Sequence, residues 1–195
     1  MTATDEVREE RAGIRHIPGQ PDMWFFVLFE SLVFTSYFCV YLFVRTQHEK
    51  AFLQSQSHLL PGFGALETIV LLTSSWAVAR SVQHARAARY AESQRDALLT
   101  AGCGLVFLAL KIVEWIRLIH AGHTFTSSEF FQYYFFLTGM HLLHLLIGFI
   151  VLGVLVNQLS TANKRSQETV ETCATYWHTV DFLWVLIFAL MYVVR

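Results

Sequence analysis

The side chains able to do chemistry in this chain stand in apolar surroundings. Two imidazoles, His141 and His144, lie three residues apart in YYFFLTGMHLLHLLIG, Tyr133 to Gly148. On a helix that spacing puts both rings on one face. Glu30 stands alone in FFVLFESLVF, and His178 precedes Asp181 by three residues. Lys111, Glu114 and Arg117 follow an i, i+3, i+6 spacing that permits ion pairing along one helix face. Helix histidines can ligate haem or metal, with His178 as a ligand from a second helix. The alternative is packing and interhelical hydrogen bonding. No metal-specific ligand spacing and no C-x-x-C-H is present. Glu30 either carries protons or hydrogen-bonds a neighbouring helix. His178 and Asp181 read as a polar clamp between helices rather than part of a hydrolase. No G-x-S-x-G turn occurs, and Ser31 and Ser74 have no visible activating base.

The elements that must position these groups are membrane helices. The chain is 54% hydrophobic and only 15% charged, against about 25% charged in soluble domains. Net charge is −1 with no long basic or acidic run, which gives no sign of nucleic-acid binding. Five apolar segments are expected to span: Asp22 to Val44, Gly64 to Val82, Ala97 to Ile119, Phe130 to Val156 and Cys173 to Val194. The three prolines fall outside them, Pro18 and Pro21 at the entry to the first. The fold expected is an all-α integral membrane protein. Residues 1–20 are a polar cytoplasmic segment without an apolar signal core, and residues 21–195 form one five-helix domain. With the N-terminus cytoplasmic, that side holds Arg8, Arg11, Arg15, Arg80, Arg86, Arg89, Arg95, Lys164 and Arg165. The other side holds Arg45, Lys50, Arg117 and Arg195. Nine against four favours N-terminus in and C-terminus out.

Counting at about 1.5 Å per residue puts Glu30, His144, His178 and Asp181 at one level in the cytoplasmic half. Glu67, Glu114 and Arg117 fall near the outer boundary, so two polar clusters are expected. A centrally placed ionised group costs roughly 2.5–3.5 kcal/mol on insertion scales, which turns these groups toward other helices or a partner. Trp24, Trp76, Trp115 and Trp177 sit near segment ends, as in interfacial belts. The Phe-rich faces (Phe25, Phe26, Phe29, Phe34; Phe130, Phe131, Phe135, Phe136) read as lipid or helix contacts. Cys39, Cys103 and Cys173 read as small buried hydrophobes.

The whole pattern resembles subunit III of the haem-copper oxidases. FESLVFTSYFCVYLF resembles that family's intramembrane-Glu segment, with Glu30 as the Glu. LETIVLLTSSWAV, Leu66 to Val78, resembles an Asn-Thr segment, with Glu67 where Asn is usual. LKIVEW resembles a Gln-x-x-Glu-Tyr run, with Glu114 as the Glu and Lys111 in the Gln position. FFLTGMHLLHLLIG resembles a Thr-Gly-x-His-x-x-His-x-x-x-Gly signature. Glu171, followed by YWHTVDFLW, resembles the C-terminal helix. The chain is similar to a five-helix form lacking the first two of seven helices, which help make a lipid-holding cleft in larger members. Asn157 stands where an Arg is often seen. SSEFFQYYFFLTG is similar to a branch associated with nitric oxide reductase as an accessory or activation protein.

The resemblance implies a non-catalytic, multi-pass subunit of an oxidoreductase complex in a bacterial cytoplasmic membrane. Haem and copper, or iron, would reside in the partner subunit and none in this chain; structural phospholipid would be bound. The chain would stabilise the catalytic subunit of an oxidase, or of nitric oxide reductase, and support proton uptake. Glu30, Glu114, His141, His144, Glu171, His178 and Asp181 are its candidate structural, proton or partner-contact residues. Two other classes stand beside this one. One is a small di-histidine membrane cytochrome. The other is a transporter, whose inverted repeats and broken helices are not visible.

Overall fold

The computed structural model describes residues 20–161, 163 and 165–194. Residues 1–19, with Pro18, Arg8, Arg11 and Arg15, and also Lys164 and Arg195, lie outside the described residues. Six α-helices follow in order: α1 (Pro21–Gln47), α2 (Glu49–Gln56), α3 (Pro61–Arg86), α4 (Tyr90–His120), α5 (Glu129–Ser160) and α6 (Gln167–Phe188). A π-helical turn, Ala189–Val193, continues α6. Five of these are long and apolar enough to cross a membrane. Below, the near end of the bundle is where α1 begins and the far end is where it finishes.

The spans run longer than the apolar runs alone indicate, because polar caps extend them beyond the greasy core. Pro21 and Pro61 are the first residues of α1 and α3 rather than lying outside them. A first-turn proline gives up an N–H that has no intrahelical partner there. The Ser128 hydroxyl accepts from the Phe131 N–H at 3.3 Å, and that of Ser166 from the Thr169 N–H at 3.4 Å. These are the N-caps of α5 and α6. α4 closes where Gly122 takes φ +87° and the His123 N–H reaches the Leu118 carbonyl at 2.9 Å, the glycine-dependent stop of a helix. The short far-end helix α2 carries no periodic apolar signal strong enough to read from sequence. It is held by Phe52, and by Gln56, whose amide donates to the carbonyls of Met191 and Val194.

α6 is central and α1 peripheral: half of α6's most apolar stretch is buried inside the chain, against 17% for α1. The centre of the bundle is Trp177. It is fully buried, and its indole N–H donates to the Ser74 hydroxyl at 2.8 Å. It was expected in an interfacial belt; small residues on three neighbouring helices admit it to the core instead. A Cβ on Gly104 would lie 2.9 Å from the Trp177 ring, and one on Gly148 3.0 Å from it. Cys173 is buried as expected, but Cys39 is exposed and Cys103 half-buried. Each simply follows the face of its helix. Phe34, Phe130 and Phe131 are buried, whereas Phe25 and Phe29 face outward.

The Trp177 seat makes a direct prediction. Gly104→Val overpacks it and destabilises the bundle by roughly 1–3 kcal/mol. Gly102→Ala, with nothing within 4 Å, leaves stability unchanged or raises it by up to ~1 kcal/mol through helix propensity. Thermal unfolding of both variants in detergent measures the difference; equal midpoints would contradict the packing role given to Trp177.

Candidate functional site: two buried polar clusters

The far-end cluster is assembled by four elements around one ammonium. Lys111 of α4 places its Nζ 2.6 Å from Glu114 Oε2, one turn along, and 2.8 Å from Glu67 Oε2 of α3. All three side chains have 0% exposure. Glu114 Oε2 also accepts from the Tyr134 hydroxyl of α5 at 2.7 Å and from the Tyr192 hydroxyl of the π turn at 2.8 Å. The Trp184 ring covers the ammonium at 4.4 Å. Burying an ammonium is costly unless opposite charges and donors surround it, and this cage supplies both. Arg117, expected at the same level, is exposed and belongs to no ion pair among the described residues. Its position on α4 turns it out of the bundle. Tyr134 and Tyr192 escaped the sequence reading because hydroxyls inside aromatic-rich runs look like lipid contacts. The detectable signal was a pair of departures: Glu67 and Lys111 both depart from the pattern that the resemblance supplies, and they are bonded partners.

The near-half groups do not form one cluster. Glu30 of α1 meets His144 of α5, Oε2 to Nε2, at 3.1 Å. His144 Nδ1 lies 2.8 Å from the Met140 carbonyl. That carbonyl only accepts, so Nδ1 carries a hydrogen and Nε2 faces Glu30 across a single shared proton. The Tyr176 hydroxyl donates to the His144 carbonyl at 3.1 Å, and Phe34 lies edge-on to the imidazole. His178 turns instead to α3, where its Nδ1 lies 2.7 Å from the Ser75 hydroxyl. Asp181 lies deeper and is 4% exposed. Its carboxyl lies within reach of the same Ser75 hydroxyl. His178 and Asp181 therefore share a helix face and both turn toward Ser75 of α3, as a clamp between helices would. Glu30 and His178 are nonetheless on the same side of the bundle, since Val27 and Ser31 of α1 line one cavity with His178.

His141 is closed in by the rings of Phe107 and Trp184. It is 1% exposed and neither nitrogen has a partner among the described residues. A haem held between helices needs two imidazoles facing a common space. The two cavities lined by His178 do not include His141, and His144 is taken up by Glu30. His141, His144 and His178, as they stand, do not fit a di-histidine haem.

At the near end Glu171 Oε1 receives Arg86 Nη2 at 2.9 Å and the Gln167 amide at 2.8 Å. Beside it the α3–α4 turn, with Ala88 at φ 58°, is clasped by a second set. Asp96 Oδ2 stands 3.0 Å from His84 and 3.5 Å from Arg80. Ser81 and Ser93 exchange hydroxyl-to-carbonyl bonds at 2.8 Å each. His84 and Asp96 were not singled out in the sequence, since partners flanking a turn become visible only once the hairpin closes.

The far-end cage predicts a thermodynamic cycle. Lys111→Gln alone leaves two buried carboxylates without their cation and costs roughly 3–5 kcal/mol. Glu67→Asn with Lys111→Gln removes one charge of each sign and recovers most of that loss. Detergent unfolding of the singles and the double reads the coupling; additive losses would contradict a Glu67–Lys111 pair.

Comparison with known proteins agrees with this architecture. The family model described as cytochrome c oxidase subunit III matches residues 17–194. The chain is 31% identical to cytochrome c oxidase subunit 3 of Synechocystis sp., over 89% of this chain and 77% of that protein. It is 26% identical to cytochrome c oxidase subunit 3 of Thermostichus vulcanus, over 99% and 98%. It is 28% identical to heme-copper oxidase subunit I+III of Aeropyrum pernix, over 95% of this chain but only 24% of that longer protein. With nearly its full length matched, five spans in place and the histidine and Glu signatures on facing helices, this chain belongs to the cytochrome c oxidase subunit III family.

Proposed function

We propose that the chain is the non-catalytic third subunit of a haem-copper oxidase. It packs against the catalytic subunit, which holds the haem and copper, and keeps that subunit in working form. The observation that carries this reading is the near-complete family match over residues 17–194. The Aeropyrum protein supports it further, because subunits I and III there are parts of one chain. The buried groups of this chain suit a scaffold: Lys111, Glu114 and Glu171 are spent on ties between its own helices. The N-terminus is cytoplasmic in this reading, on the charge asymmetry of the connections.

Glu30 and His144 form a further tie, on the outer helix. They join the outermost helix to the bundle and are still partly open, with side-chain exposures of 15% and 9%. We place the contact with the catalytic subunit, and any support of proton uptake, along this α1 face. The exposed Phe25, Leu28, Phe29 and Leu32 provide its apolar area.

Purification of the tagged chain in mild detergent tests the main reading. Oxidase subunits I and II should copurify with their haem absorbance. Copurification of the nitric oxide reductase pair would move the chain to an accessory role there. A stable isolated chain carrying its own haem would overturn both. Glu30→Ala should lower the haem recovered per tagged chain, or shorten sustained turnover of the complex, while Glu30→Gln, which can still bond His144, retains more of both. Wild-type recovery and turnover in Glu30→Ala would contradict a role for this contact.

A further inference from the structure

The far end carries a ring stack that belongs to neither cluster. His58 stands in the turn that closes α2, where its N–H reaches the Ser55 carbonyl at 3.2 Å. His123 follows Gly122 in the connection from α4 to α5. The two imidazole centroids are 4.2 Å apart, with their planes 39° from parallel. His123 also stacks on Phe131 of α5, at 4.7 Å and 15°. Two connections distant in sequence are thus joined through three rings, with His123 in the middle. His58 is exposed and His123 half-buried. No ion pair among the described residues includes either ring.

The other titratable side chains of the elements that meet here are basic or have partners elsewhere. α2 carries Glu49 and Lys50 in its first turn, at the end away from His58. Glu67 of α3 is paired with Lys111. α4 ends with Arg117 and His120, both exposed. α5 begins with Glu129, whose Oε2 is 2.6 Å from His48 Nδ1; its Tyr134 is bonded to Glu114 and its Tyr133 packs on Phe52. Neutral imidazoles stack as aromatic rings do. One proton is tolerated, since an imidazolium over Phe131 gains from the face of that ring. A second proton sets two cations side by side without a carboxylate between them. Partial burial, and then the charge of His58, hold His123 below the ordinary imidazole range. The closed stack is therefore favoured at and above that range. It loses ground as pH falls below it, because the parted form takes up the second proton more readily.

We infer that the His58–His123–Phe131 stack is an acid-released clasp that holds α2 over the far end of the bundle. When both imidazoles carry a proton, the α2–α3 connection parts from the α4–α5 connection and the end of α2 lifts. The start of α2 stays in place, because protonation of His48 strengthens its pair with Glu129. Gln56 lies within one turn of His58 and moves with it. Its amide holds the carbonyls of Met191 and Val194. Between those two stands Tyr192, which donates to Glu114 in the Lys111 cage. Acid at the far face thereby loosens the turn that closes the cage. The clasp uses only the connections of this chain, so its test is independent of which complex the chain joins.

The test is hydrogen–deuterium exchange of the full-length chain in mild detergent near pH 7.5 and near pH 5, with labelling times scaled for the intrinsic effect of pH on amide exchange. In wild type the amides of residues 49–60 should be protected at the higher pH and exchange about tenfold faster at the lower one. Those of residues 189–193 should follow. His58→Phe, which keeps a ring and cannot take a charge, should stay protected at both pH values. His58→Gln should exchange alike at both and serves if the phenylalanine variant does not fold. His48→Gln should keep the acid response. The proposal is overturned if wild-type residues 49–60 exchange alike at the two pH values, if both His58 variants respond to acid as wild type does, or if His48→Gln alone abolishes the response.

Discussion

A lysine ammonium with no exposure, held between two carboxylates and roofed by an indole, is the constraint on which the far half of this bundle depends. Lys111 cannot be left alone at that depth, so α3 must bring Glu67 and α4 must bring Glu114 to within bonding distance. Tyr134 and Tyr192 then complete Glu114 and draw in α5 and the turn after α6. Polar groups in a greasy bundle act as register marks: sliding any one of these helices by a turn would strand a charge. Among apolar helices in lipid, where burial of side chains gives little drive to associate, such marks and close packing carry the specificity.

Close packing supplies the middle of the bundle. Trp177 fills the space that Gly104 and Gly148 leave open, and its one polar atom finds Ser74. No GxxxG motif announces this contact. The glycines lie on different helices and meet around a side chain from a third, so the small residues matter by shape rather than by spacing along one strand of sequence. The near end is secured differently again, by ion pairs and hydroxyl exchanges that clasp the turn between α3 and α4 and pin the start of α6 through Arg86 and Glu171.

α1 stands apart from this core. It keeps most of its apolar surface for something outside the chain and is tied in by few polar contacts, chiefly Glu30 with His144. The rigid core and the peripheral helix thus have different tasks: one defines the shape of the subunit, the other presents it.

The residue order alone determined the spans, their number and the family. Apolar runs of bilayer length are a local property, and the His, Glu and aromatic signatures are read along one segment at a time. It also located Glu30, Glu67, Lys111, Glu114 and Asp181, because an ionisable group inside such a run stands out, but not Asp96, which lies at the edge of one. Which group pairs with which was decided only by tertiary structure. Helical spacing made His178 and Asp181 neighbours on one face, but the approach of α3 took His178 to Ser75. Two imidazoles three residues apart went to different environments, His144 to Glu30 and His141 between two aromatic rings. Rotation of a helix about its axis is set by every neighbour at once. No single segment encodes it, so the partners of these side chains appear only when the helices are assembled.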